Sequence, residues 1–206
     1  MQKIGDKIIY NTIEEILNPS HTALVVWNVQ NIFVNRIFNK EEFIGNLSLV
    51  IELARKASIP IFFTCHQMLP LRFESPAKIY FWRKLGFDRV KQQPTEEDVS
   101  LAIKPLQSEI VIDKHTASIF MDTSFEYMLR NSSTSTVVFT GIATEFGIES
   151  SARDAFNRGL YSVVVSNSVS SVDEDGHNRS LENMKNLINI ISSTELENVW
   201  SKRSDL

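Results

Sequence analysis

The chain is short of the residues that mark several protein classes. Its 206 residues include one cysteine, Cys65, which excludes an internal disulfide framework and fits a reducing compartment. No apolar run reaches the roughly 18 residues that a membrane-crossing helix needs. The opening stretch Met1-Gln-Lys-Ile-Gly-Asp-Lys7 lacks a signal-peptide core. Basic residues are in deficit, 21 Lys and Arg against 25 Asp and Glu, and they are scattered, with no run longer than pairs such as Arg83-Lys84 and Lys202-Arg203. A net charge of −4 offers no basic footprint for nucleic acid. Neither a nucleic-acid nor a membrane partner is expected, and the expected location is cytoplasmic.

What is present is an ordinary globular composition, 43% hydrophobic and 22% charged. The length suits one α/β domain over residues 1–206 with a full core. Residues 1–21 read as a polar lead-in with a short helix, Thr12–Leu17. Thr22–Trp27 is a continuous apolar run, as expected of a parallel strand buried on both faces. It stops at the polar cluster Asn28-Val-Gln-Asn31. Further strands are expected at Ile59–Thr64, Glu109–Ile112, Ser135–Thr140, Tyr161–Ser166 and Ile190–Ser192. Between them, Phe43, Ile44, Leu47, Val50, Ile51 and Ala54 recur with a helical period, and Asn39 with Glu42 suggests a capping box. Thr123 with Glu126 suggests another, opening a helix at Phe125–Arg130. A last helix is expected over about His177–Ile188. Residues 67–108, interrupted by Pro70, Pro76, Pro94 and Pro105, read as an irregular insert that serves as a lid or a subunit contact. The alternation of strands and helices implies a three-layer α/β/α sandwich around a six-stranded, mainly parallel, Rossmann-like sheet.

The most informative stretch is Thr140–Ala155, Thr-Gly-Ile-Ala-Thr-Glu-Phe-Gly-Ile-Glu-Ser-Ser-Ala-Arg-Asp-Ala. An apolar strand leads in, and a helix ending near Gly159 leads out. Small residues at such a turn let backbone N–H groups converge on an anion or oxyanion.

Three segments in this order carry a family resemblance: Leu24-Val-Val-Trp-Asn-Val-Gln-Asn-Ile-Phe33, Lys114-His-Thr-Ala-Ser-Ile-Phe120 followed by Thr123, and Thr140–Ala155. From about Thr22 to Leu196 the chain resembles the isochorismatase-like, or cysteine hydrolase, superfamily. The resemblance implies a catalytic aspartate, lysine and cysteine at three strand ends. Here the lysine is Lys114, the aspartate position holds Asn28, and the cysteine position holds Gly147. It also implies an oxyanion hole from the N–H groups of Ala143 and Gly147, beside a cis peptide at Ile142–Ala143, and a homo-oligomer, dimer or tetramer.

An asparagine cannot accept a proton as a base, and a glycine offers no nucleophile. Two readings follow: a divergent hydrolase acting on a small molecule without a cysteine nucleophile, or a non-catalytic relative that binds a small molecule or serves as a structural subunit. In the first, Lys114 stabilises negative charge, Asn28 orients substrate or water, and Glu145, Asp113 or Asp173 replaces the missing acid. Glu145 sits on the turn itself, although a solvated helix-capping role explains it more simply. Trp82 and Phe120 are candidates for the substrate-binding wall, with core packing as the plain alternative. Cys65, beside His66, reads as a buried inert thiol. One histidine there does not make a metal site, so neither a metal nor a cofactor is expected.

Overall fold

The unbroken apolar run Thr22–Trp27 becomes the central strand of the sheet because each face meets a separate core. Leu24 and Val26 pack on one side with Phe43, Leu47, Val50 and Trp200. Ala23, Val25 and Trp27 pack on the other with Phe62, Ile112, Phe125 and Phe139. Alternate residues of a strand point to opposite faces, so a strand between two helix layers buries both sets.

A computed structural model of the chain describes residues 1–86 and 94–201. The pair Lys202-Arg203 and residues 87–93 of the 67–108 stretch lie outside the described residues. A short antiparallel hairpin opens the chain, β1 (Gln2–Ile4) against β2 (Lys7–Ile9), where the sequence suggested only a polar lead-in. The main sheet follows: β3 (Thr22–Trp27), β4 (Ile61–His66), β5 (Ile110–Lys114), β6 (Thr136–Ile142), β7 (Tyr161–Ser170) and β8 (Asn189–Ile191). Their order is β5-β4-β3-β6-β7-β8, and every neighbouring pair is parallel. This is the doubly wound Rossmann order, whose direction reverses between β3 and β6, the place where such sheets bind ligands.

The helices cover both faces. Lys40–Lys56 and Ser193–Trp200 pack on the first core, and Phe125–Asn131, Glu149–Asn157 and Glu174–Met184 cover the other face. Trp200 locks the first layer by donating its indole N–H to the Leu17 carbonyl at 3.0 Å. Gly159, at φ +77°, closes Glu149–Asn157 as the expected left-handed cap.

Several local expectations need correction. Asn39 does not cap Lys40–Lys56; its Oδ1 accepts instead from Ser170 Oγ at 2.5 Å, a tertiary bond that ties the helix to β7. Thr123 and Glu126 do not form a capping box. The helix starts after Ser124, Thr123 Oγ1 donates to the Ile119 carbonyl, and Glu126 pairs with Arg158 at 2.9 Å. Pro76 does not break the 67–108 stretch: it occupies the first turn of the helix Pro76–Lys84, where proline fits, and Ser75 caps it. The last but one helix runs Glu174–Met184, starting earlier than His177 because Glu174 and Asp175 suit a first turn. Strands β5, β6 and β7 extend two to four residues beyond their expected ends, which brings Lys114 and Ile142 into the sheet itself.

Candidate active site

Three chain segments meet at the carboxyl ends of β3, β5 and β6. Trp27 and Asn28 end β3, Lys114 ends β5, and a π-helical turn, Thr144–Ile148, follows β6 before Glu149–Asn157 begins. The Ile142–Ala143 peptide is cis. Ala143 stands at the N-cap of the turn, and its carbonyl accepts from the N–H groups of Phe146 and Ile148 at 3.3 and 3.2 Å.

Two glycines there are dictated by Trp27. Gly141, at φ +113°, pairs in register with Trp27, and a Cβ on it would meet the Trp27 backbone nitrogen at 2.6 Å. Gly147 meets the other end of the same residue. A Cβ at Gly147 would clash with the indole at Nε1 and Cε2 and lie 2.6 Å from Cζ2. The space in which a side chain at position 147 would begin is therefore filled by Trp27.

Lys114 lies on the same face of the sheet, against the same ring. Its Nζ stands 3.7 Å from the Trp27 ring centroid and donates to the Thr116 carbonyl at 3.2 Å. It is 2% exposed and forms no ion pair among the described residues. Burial pushes the ammonium down from the ordinary 10.5 to about 7; Lys78 adds to the effect and Cys65 opposes it. An aromatic face and one carbonyl do not replace the hydration of a full charge.

Asn28 is half-buried with φ +46°, a conformation that asparagine tolerates better than most residues. Its backbone N–H donates to Thr64 Oγ1 at 3.0 Å, and Thr64 Oγ1 stands 2.9 Å from Asn28 Oδ1. The threonine hydroxyl donates its own hydrogen to Oδ1. That assignment sets the orientation of the carboxamide and turns its NH₂ group away from Thr64.

Glu145, on the π-helical turn, does not point at Lys114. Its Oε1 accepts from Ser171 Oγ at 2.5 Å, and Oε2 is buried without a partner among the described residues. Asp113, the residue before Lys114, is exposed and accepts from Gln67 Nε2 at 3.0 Å. Asp173 is at the N-cap of Glu174–Met184, 3.7 Å from Arg179. Cys65 pairs in register with Asp113, and burial together with that carboxylate pushes its thiol up to about 11. A thiol held neutral in this way is not a nucleophile.

The candidate wall residues separate. Phe120 is 7% exposed within the second core, against Phe125 at 5.1 Å, with the Arg158 guanidinium over its outer face at 4.7 Å. Its position accounts for core packing. Trp82 lies at the site, in an arc of half-exposed rings that runs from helix Pro76–Lys84 to the π-helical turn. His66 stands 5.0 Å from Trp82, Trp82 5.8 Å from Phe81, and Phe81 5.3 Å from Phe146. Among the described residues, no group of three or more His, Cys, Asp and Glu side chains stands together as a metal site. No helix there is long and apolar enough to cross a membrane.

Trp27 is the residue that the sequence reading missed. It looked like one more apolar residue of a buried strand. The available signal was a glycine in the first turn of a helix, where glycine costs about 1 kcal/mol relative to alanine, combined with an unusually large residue at the end of the central strand.

Comparison with known proteins agrees with this fold. The Isochorismatase domain family matches residues 22–195. Ureidoacrylate amidohydrolase RutB of Pseudomonas savastanoi pv. phaseolicola is 27% identical over 203 residues, covering 87% of this chain and 83% of its own. Nicotinamidase 3 of Arabidopsis thaliana is 25% identical over 183 residues, covering 85% and 86%. A cysteine hydrolase of known structure from Pseudomonas syringae pv. phaseolicola shares the fold with a TM-score of 0.79 at 18% identity, over 90% of this chain and 94% of that one. With the family matched over most of its length, and the doubly wound sheet and strand-end turn in place, the chain belongs to the isochorismatase family.

Proposed function

We propose that this chain is a divergent isochorismatase-family member that binds a small molecule at the β3–β6 switch point without covalent, thiol-dependent hydrolysis. One observation carries the reading: the Trp27 indole occupies the volume in which a side chain at residue 147 would begin. A nucleophile is absent there, and the room for one is absent too. The general base is missing as well, since Asn28 cannot take a proton from a thiol. Cys65, with its thiol pushed up to about 11, does not substitute. The backbone turn at Ala143–Gly147 and the amine of Lys114 remain as a site for binding.

A second reading, hydrolysis without a covalent intermediate, draws on the unpartnered Oε2 of Glu145. It requires a proton donor at the reacting atom, and Glu145 is turned toward Ser171 instead. The test is a turnover screen over amides, ureides and vinyl ethers, followed by mass spectrometry, with wild type and Lys114→Ala side by side. The expected result is binding without product. Turnover that disappears in Lys114→Ala would overturn the proposal in favour of the hydrolase reading.

A further inference from the structure

The sheet ends on one side at β5, and the ladder decides which backbone groups of that strand stay free. In a parallel pair, alternate residues of a strand send both the N–H and the C=O group to the same neighbour. The Gln67 N–H donates to the Lys114 carbonyl at 2.9 Å, so Lys114 and, by alternation, Ile112 and Ile110 face β4. Val111 and Asp113 therefore direct their N–H and C=O groups away from the sheet. Among the described residues, no hydrogen bond reaches any of these groups. The N–H of Glu109, next in the same series, is already taken by the Leu106 carbonyl at 3.0 Å.

Edge strands are ordinarily blunted by a proline, an outward lysine, a bulge or a covering element. The outward pair of β5 holds neither proline nor lysine, and its register with β4 runs without a bulge. Ile110 and Val111 are 39% and 46% exposed, apolar surface beside bare backbone. Asp113 carries the one outward charge, and its carboxylate is drawn back to Gln67, just past the end of β4.

Two free residues spaced two apart complement themselves under a two-fold axis. With the axis at Ile112, Val111 of each copy lies opposite the partner's Asp113, and the N–H···O=C bonds of two antiparallel pairs satisfy every free group. Moving the axis to Val111 sets Asp113 opposite the partner's Glu109, and moving it to Asp113 sets that carboxylate against its own copy. Like charges directly opposite each other are destabilising, so one register remains. We propose that β5 is an interface with a second copy of this chain, the two strands pairing antiparallel about Ile112 to join both sheets into one. The edge lies outside the strand-end site, and its failure as an interface would leave the binding role untouched.

The test is sedimentation velocity of the full chain over a range of concentrations, for wild type, Val111→Asp, Val111→Lys and Val111→Pro. Wild type is expected to dimerise reversibly. Val111→Asp sets a carboxylate against the partner's Asp113 twice per dimer, and is expected to raise the dissociation constant at least about tenfold, a ratio worth about 1.4 kcal/mol and within reach of two unfavourable cross-strand pairs. Val111→Lys puts the opposite charge there and is expected to keep the dimer at low salt and weaken it as salt rises. Val111→Pro deletes an outward N–H without touching the ladder to β4, and is expected to weaken the dimer. Thermal unfolding establishes that each variant is folded, and the Asp and Lys variants, charged at one position, control for each other. A wild type that is monomeric at every concentration, a dimer that Val111→Asp or Val111→Pro leaves intact, or equal weakening by Val111→Asp and Val111→Lys would each overturn the inference.

Discussion

Replacing Lys114 by methionine should make the protein more stable at neutral pH. Methionine has a similar length, leaves the Trp27 ring in contact with a polarizable sulfur, and removes the ionisable group. The displacement of Lys114 from 10.5 to about 7 corresponds, at about 1.4 kcal/mol per unit, to roughly 5 kcal/mol of penalty on the charged form. The sign follows from linkage. The folded chain releases this proton more readily than the unfolded chain, which keeps the ordinary value. Below about pH 7 both states are protonated and wild type carries the whole penalty. As the pH rises from about 7 toward 10.5, the unfolded chain alone stays charged and the penalty fades, so wild type gains stability relative to the variant. Losing the Thr116 hydrogen bond and the cation–π contact offsets part of the gain, and the measured difference at pH 6 is expected on the order of 2–4 kcal/mol. Urea unfolding of wild type and Lys114→Met at pH 6, 8 and 10 reads it directly. A variant less stable than wild type at pH 6, or a difference that stays flat to pH 10, would show that the lysine is held by a partner that its surroundings do not reveal.

The remaining predictions concern packing and reactivity. Gly147→Ala should destabilise by about 1–3 kcal/mol through overlap with the indole, and Trp27→Val in the same chain should remove most of that cost. A double-mutant cycle on unfolding free energies is expected to give a coupling of at least about 1 kcal/mol, and additive effects would refute the contact. Glu109 holds Arg55 through two bonds of 2.8 and 3.0 Å and accepts from the Leu106 N–H at 2.6 Å. Glu109→Ala should therefore cost about 2–3 kcal/mol, as removal of one partner from a largely buried pair does; chemical denaturation checks it. Cys65 should resist iodoacetamide at pH 8 in the native state and react on unfolding, which peptide mass mapping follows.

The sheet was legible because its strands are nearly pure apolar runs bounded by polar residues, and a strand buried on both faces can be written in no other way. Thr22–Trp27 matches residue for residue, and the alternation of strands and helices pointed to the three-layer fold but not to the strand order. The capping boxes expected at Asn39 and Thr123 are absent for one reason. A side chain able to cap its own helix is equally able to bond across the fold, and Ser170 and Ile119 won that competition. Lys114, Asn28 and Gly147 came from the family resemblance; Lys114 ends β5, Asn28 follows β3 and Gly147 lies on the turn after β6. The interlock of Gly147 with Trp27 was hidden because 119 positions separate them, and only the parallel register of β3 with β6 brings them together. Phe120 and Trp82 looked alike as candidates. An aromatic residue carries no mark in sequence that tells a core position from a pocket wall.

The strand order also bears on how the nascent chain is completed. Synthesis makes β3, β4 and β5 first, and these form only one half of the sheet, with the wholly apolar β3 at its open edge until residues 136–142 emerge. The Leu17 carbonyl waits longer still, for an indole 183 residues downstream. A polypeptide halted after β5 therefore exposes the stickiest edge that the molecule ever possesses, and arrest near residue 135 should bring aggregation or chaperone capture.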